Sequence, residues 1–390
     1  MCLMKEKIKL IRSSTMKCLV SKKVINAFYN TKNTWKVLYK RTEKEGILEM
    51  LDDFSINKIP TKQQNKKTWS RFTSPIAVRW DLTYLCNFQC IHCYSSCGYD
   101  KNKQLSLDNI KKIIDILDKE KVQFVQILWG EPMVYPKILE VIAYALTKKF
   151  IFCINSNGYL LNDTIIHQLS KMWLQHIQIS LNGLGQEHDQ VTMVKESFEK
   201  VSKNVEKLIA SWMNVSISCV VSEINKGSIF KFLEYIIGLW VKNIQLLTPL
   251  DEGRAKQNKF YLQAKDYKKL KKNLIEFKNK NTTINLDLPW FDIDVIDGLV
   301  NTYQNDQHYE FMFWCMWWVS WMRIDPLWNA CICVWWVGKP IANLLKEPIK
   351  DIMEKLHEWR VKNVCKMCEW CPSYLEDCQW ACYLRFWKDK

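Results

Sequence analysis

The chain has 390 residues, 48% of them hydrophobic and 25% charged, enough for two or three domains and a sizeable core. That balance excludes disordered, collagen-like and coiled-coil classes. The net charge of +15 comes mostly from lysines scattered among Asn and Glu on helical faces, such as Lys111, Lys112, Lys148 and Lys149. With no arginine-rich stripe or nucleic-acid module beside them, no nucleic-acid partner is expected.

Residues 1–74 read as a basic helical lead-in that ends in a polar linker. Lys5, Lys7, Lys9, Arg12 and Lys17 interrupt its start, so no export signal is expected. The most apolar run, 311–322, has 12 residues and is too short to span a bilayer. A cytoplasmic chain with no membrane contact follows, and there 16 cysteines read as metal or cluster ligands before disulfides.

From Pro75 onward, short β-branched runs alternate with amphipathic stretches. The pattern predicts strands over 76–82, 122–128, 150–154, 176–181, 214–221 and 243–247. Helices are expected over 106–119, 136–147, 163–172, 197–211 and 228–237, the first capped by Ser106. Such a repeat makes a parallel sheet with right-handed crossovers. Six units are fewer than the eight of a closed barrel, so the expected fold is α/β, a partial (βα)6 TIM-like barrel over 75–260, in preference to a doubly wound sheet. A helical connector over 261–310 and a small cysteine-rich domain over 311–390 complete the chain. The site should lie at the carboxyl ends of the strands.

One cysteine cluster stands there. Cys86, Cys90 and Cys93 follow the first strand on one short loop. Three thiolates hold three corners of an iron–sulfur cube and leave its fourth iron open for a non-protein ligand. A zinc site completed by His92 or Cys97 is the alternative.

This CxxxCxxC after the first strand of a (βα)6 repeat resembles the radical S-adenosylmethionine (radical SAM) enzymes. In that family the open iron chelates SAM, and reductive cleavage yields a 5′-deoxyadenosyl radical that abstracts a substrate hydrogen. Trp129-Gly130-Glu131-Pro132 is similar to the family's Gly-Gly-Glu-Pro, which binds the SAM ammonium. The segment 155–158, with Asn157, resembles its Thr-Asn-Gly. Ser180, Asn182 and Gly183 stand as in its Ser-Leu-Asp-Gly, followed by His188 and Asp189. His92 takes the aromatic position near the adenine. The resemblance thus implies SAM contacts from His92, Gly130, Glu131, Asn157, Ser180 and Asn182, although a turn or capping role suits Asn157 or Ser180 equally well.

The C-terminal cysteines resemble the SPASM extension of this family. Cys315 precedes Trp328 and Cys333, and Cys365, Cys368, Cys371, Cys378 and Cys382 follow. The resemblance implies two auxiliary [4Fe–4S] clusters beside the SAM cluster, with Cys331 or Cys365 supplying a ligand that the pattern otherwise lacks. The gap between Cys371 and Cys378 is six residues where the pattern has five, and a zinc ribbon is the alternative. Enzymes of this architecture modify peptides, which implies a ribosomal-peptide maturase with a peptide or small-protein substrate and a ferredoxin or flavodoxin as reductant. Haem or cofactor synthesis is the second enzymatic reading, and a zinc-bound interaction or RNA-binding protein the non-enzymatic one. The Asp that sulfatase-maturing relatives carry after an auxiliary-cluster cysteine is absent, so no catalytic base is assigned.

One count remains anomalous. The chain has 11 glycines and 19 tryptophans, which together come to about the usual glycine share of ~7%. Trp129, Trp328 and Trp380 occupy glycine positions of the family patterns, and Trp173 and Trp240 stand at helix-to-strand turns. The reading is that the source organism uses UGA for glycine, with residues such as Trp35, Trp80 and Trp290 genuine. The alternative is a chain truly rich in indoles for packing or stacking.

Overall fold

The computed structural model describes residues 74–75, 77–98, 106–249, 252–288, 321–331, 340–356 and 358. Six parallel strands follow one another in space as in sequence: β1 (Ala77–Asp81), β2 (Phe124–Leu128), β3 (Ile151–Ser156), β4 (His176–Ser180), β5 (Val215–Val220) and β6 (Asn243–Leu247). The crossover helices are α1 (Leu107–Lys119), α2 (Ile138–Leu146), α3 (Asp163–Lys171), α4 (Gln186–Thr192), α5 (Ser197–Ala210) and α6 (Ile229–Gly238). Ser106 caps α1 as expected, its Oγ accepting the Asn109 N–H at 3.2 Å.

The period-2 pattern of each strand sorts its side chains onto two faces. Val78 and Trp80, Val125 and Ile127, Phe152 and Ile154, and Ile177 and Ile179 are fully buried in one apolar core with helix residues such as Ile113, Val141, Val205 and Phe232. Each such side chain contributes roughly 1.5–3 kcal/mol of transfer free energy. The opposite face carries a row of polar side chains, unlike most parallel sheets. There Gln126 Nε2 donates to Asn155 Oδ1 (2.7 Å), Asn155 Nδ2 to Gln178 Oε1 (2.5 Å), and Gln178 Nε2 to Gln245 Oε1 (3.5 Å). Gln245 Nε2 ends the row on Asp287 Oδ2 at 2.7 Å. Carboxamides both donate and accept, so the row satisfies its members across the inner wall.

The sheet is longer than the six strands expected. After α7 (Gly253–Gln257) and α8 (Ala264–Lys280) comes β7 (Asn285–Asp287), parallel to β6, within the span read as a helical connector. Three residues carry too little alternation to register as a strand in sequence. On the other edge β8 (Trp321–Ile324) pairs parallel to β1, and β9 (Asn329–Cys331) and β10 (Ala342–Asn343) continue antiparallel. A buried ion pair joins β8 to β1, with Arg323 Nε on Asp81 Oδ2 at 2.7 Å. The order is β10-β9-β8-β1-β2-β3-β4-β5-β6-β7, and among the described residues no strand joins β7 to β10. It is an open partial barrel.

Candidate active site at the strand ends

The loop leaving β1 carries the three cysteines. It folds back on itself: the Cys86 N–H donates to Gly98 O (3.3 Å) and the Gly98 N–H to Tyr84 O (3.2 Å). Cys86 and Cys90 are partly exposed and Cys93 is buried, all as free thiols. Burial pushes the Cys86 thiol up to about 12 and Cys90 well above its ordinary value. A hydrogen bond with Cys97 instead lowers Cys93 below its ordinary value. Ligation therefore releases protons from this loop. Among the described residues no three His, Cys, Asp or Glu side chains converge on one point. Three thiols on one loop suit a cluster that takes each on a different iron.

Residues far along the chain hold this loop. Arg254, at the start of α7, donates from Nε to Cys90 O (2.8 Å), from Nη2 to Cys97 O (2.7 Å) and from its backbone N–H to Cys93 O (3.0 Å). Asn258 Nδ2 reaches Ile91 O at 2.9 Å. Gly253 permits the contact, because a Cβ there would lie 2.2 Å from Tyr94 O. Sequence reasoning missed this clamp. Its one local signal was a Gly-Arg pair shortly after the sixth strand.

Glu131 is the junction between β2 and β3. Its buried carboxylate accepts from Met133 N–H (3.0 Å) and Ser156 Oγ (2.7 Å) on Oε1, and from Asn157 N–H (2.6 Å) on Oε2. Burial nevertheless raises this carboxyl to about 7, since taking an unpaired charge from water outweighs three donors. A cationic ligand would reverse that balance. Asn157 Nδ2 in turn donates to Asn87 Oδ1 at 2.8 Å, tying the β3 end to the cysteine loop. Gly130, at φ +58°, gives its N–H to Cys97 Sγ (3.3 Å), and a Cβ there would stand 2.3 Å from both Thr83 O and Leu85 O. Gly130, Glu131 and Asn157 are thus brought together beside the thiols.

His92 lies within the loop itself, and the β4 motif follows the fourth strand. The His92 ring stacks on Phe260 with centroids 5.6 Å apart, and its buried Nδ1 has no hydrogen-bond partner. Burial lowers it to about 4, so it is neutral. Ser180 ends β4, but the Asn182 carboxamide is turned into the scaffold: its Oδ1 accepts the Val220 N–H at 2.9 Å. His188 Nδ1 accepts the Asn182 N–H (3.0 Å), and Asp189 accepts from Glu196 N–H (2.7 Å) and Phe198 N–H (2.8 Å) at the start of α5. Cys331 is buried on β9, where burial raises its thiol to about 12. Cys315, Cys333, Cys365, Cys368, Cys371, Cys378, Cys382 and Trp380 lie outside the described residues.

Thiols on the first strand-end loop, locked to a buried glutamate on the second and an asparagine on the third, define a class. Residues 80–236 match the Radical SAM superfamily, and the chain carries a radical SAM domain. That family implies a [4Fe–4S] cluster and SAM, and the donor set on the loop fits such a cluster. The chain is 33% identical over 160 residues to the mycofactocin maturase MftC of Mycobacterium ulcerans, covering 41% of this chain and 43% of that one. It is 26% identical over 184 residues to an AdoMet-dependent heme synthase of Methanosarcina barkeri, covering 46% and 53%. It therefore matches about half or less of either relative. In fold it is similar to Streptococcus suis SuiB bound to the precursor peptide SuiA (TM-score 0.63, 14% identity, 83% of this chain and 79% of that one). It is also similar to anSMEcpe with bound AdoMet (TM-score 0.59, 18% identity, 77% and 87%). Among the described residues no helix is long and apolar enough to cross a membrane.

Proposed function

We propose that this protein is a radical SAM peptide maturase of the cytoplasm. The observation that carries the reading is the lock between the cysteine loop, Glu131 and Asn157, joined to the sequence similarity with a curated maturase. Cys86, Cys90 and Cys93 would hold the cluster, whose open iron supplies one-electron cleavage of SAM and hence hydrogen abstraction from a substrate. The chain's own residues prepare that step. Arg254 and Asn258 fix the loop backbone, Gly130 allows close approach, and the buried Glu131 carboxylate is suited to an ammonium once one is present. The half-buried, neutral His92 ring, stacked on Phe260, would pack beside a heteroaromatic base, while Asn157 and Ser180 stand at the ends of β3 and β4.

Peptide substrates fit the relatives' chemistry, and a low-potential ferredoxin or flavodoxin would be the electron source. Residues 311–390 would add a SPASM-like domain with two auxiliary clusters. An iron and sulfide count on anaerobically reconstituted protein tests this: about twelve irons indicate three cubes, and about four indicate the SAM cluster alone. With SAM and dithionite the protein should form 5′-deoxyadenosine; zinc without iron, or no cleavage, overturns the reading. Hydrogen loss from a precursor peptide, rather than from a porphyrin, would separate a maturase from a haem-pathway enzyme.

A further inference from the structure

Five of the seven tryptophans whose backbone is described have positive φ: Trp129 (+24°), Trp173 (+58°), Trp212 (+58°), Trp240 (+67°) and Trp328 (+69°). L-residues avoid this region because Cβ crowds the following carbonyl, whereas glycine enters it freely. Trp80 and Trp321, the other two, lie in strands.

Three of the five share one device. After α3 the Trp173 N–H donates to Ser170 O and the Leu174 N–H to Leu169 O. Trp212 and Met213 do the same to Ile209 O and Leu208 O after α5, and Trp240 and Val241 to Ile237 O and Ile236 O after α6. These paired bonds form the helix-ending motif whose left-handed residue is usually glycine. The indoles gain little in exchange, being 45%, 91% and 81% exposed. α1 ends identically on Lys121 at φ +58°, so another residue is tolerated there at a cost. Trp328 closes the β8–β9 hairpin, with its N–H on Asp325 O at 3.0 Å, in the left-handed position that follows a three-residue turn. At Trp129 the indole lies edge-on to Tyr94, the residue after the third thiol, with ring centroids 4.0 Å apart.

We propose that residues 129, 173, 212, 240 and 328 are glycine in the working protein, encoded by a codon that the source organism reads as glycine, and that the space this frees at residue 129 belongs to the cofactor cradle. Trp80 is a genuine tryptophan, fully buried in the core. Backbone conformation thus distinguishes the two kinds of tryptophan, and it adds Trp212 to the positions that sequence patterns pointed to.

The test has two independent arms. In the first, the full chain with Trp173→Gly, Trp212→Gly and Trp240→Gly is compared with the chain as written. Glycine inside ordinary structure destabilises, but here the thermal midpoint should rise by roughly 5–10 °C in total. A fall or no change overturns the proposal, and Trp80→Gly, expected to lower the midpoint sharply, shows that the assay detects lost packing. The second arm rests on the functional reading: after reconstitution, Trp129→Gly should bind SAM at least about tenfold more tightly. Equal or weaker binding beside a raised midpoint in the first arm overturns the cradle assignment and leaves the glycine assignment standing. A missing cluster would instead count against the functional reading. Peptide masses from the protein isolated from its source cells decide the matter directly, with glycine at 173 and 212 expected and tryptophan there overturning it.

Discussion

The ends of β1 to β3 and the ends of β4 and β5 look alike as strings of polar residues, yet the fold uses them differently. On the first side, Glu131, Asn157 and Asn87 join three strand ends through side-chain bonds beside Cys86. On the second side, Asn182, His188 and Asp189 spend their bonds on neighbouring backbone: Asn182 on β5, His188 on Asn182, Asp189 on α5. A polar residue at the carboxyl end of a strand is therefore either cradle or scaffold. Where its hydrogen bonds go decides which.

Substitutions read on the cofactor should separate the two sides. The largest effect belongs to Cys93→Ala, which removes one of the three thiols of the CxxxCxxC spacing and leaves Cys86, Cys90 and Cys97 on the loop. Reconstituted protein should lose the iron and visible absorption of the SAM cluster, and retention of both would refute the ligand assignment.

Glu131→Gln comes next. It places an amide N–H against the Asn157 N–H, so SAM affinity should fall about 10- to 100-fold by equilibrium binding. The same residue carries a pH signature. Its folded pKa of about 7 lies above its ordinary 4.5, so the fold favours the protonated form. That stability is fully present below pH ~4.5 and is lost as pH rises through about 7, a change of roughly 3 kcal/mol in the SAM-free protein. Urea unfolding across this range should show the decline, and E131Q should flatten it.

Arg254→Ala has a smaller expected effect. The cluster should still assemble, but its loss in air should accelerate about tenfold. Arg254→Lys should not restore the wild-type rate, because one ammonium cannot reproduce two divergent guanidinium bonds. Asn182→Ala should affect the cofactor least. It strands the half-buried Val220 N–H and costs about 1–2 kcal/mol of stability, yet SAM affinity should stay within about twofold. If Asn182→Ala weakened SAM binding as much as E131Q, the division between cradle and scaffold would fail.

Much of this was legible beforehand. The six strands, their order and the Ser106 cap follow from periodicity and capping chemistry, both local properties of the chain. The place of the cysteine loop after β1 and of Glu131 after β2 was legible because each follows directly from the strand that precedes it. The Arg254 clamp was not, because its contacts lie 164 residues away at Cys90 and 157 away at Cys97. Nor was the carboxamide row, whose members alternate with apolar residues on separate strands and meet only when the sheet forms. β7 escaped notice because three residues hold no period.

By itself, then, the sequence determined what short-range chemistry determines: the repeat, the helix starts, the thiol loop and an excess of tryptophan over glycine. The tertiary structure decided which strand-end residues face the thiols and which tie the sheet together. It also decided which tryptophans stand in left-handed backbone. Those outcomes depend on where a side chain's partner lies and on the φ imposed by neighbouring turns, and only the assembled sheet sets either.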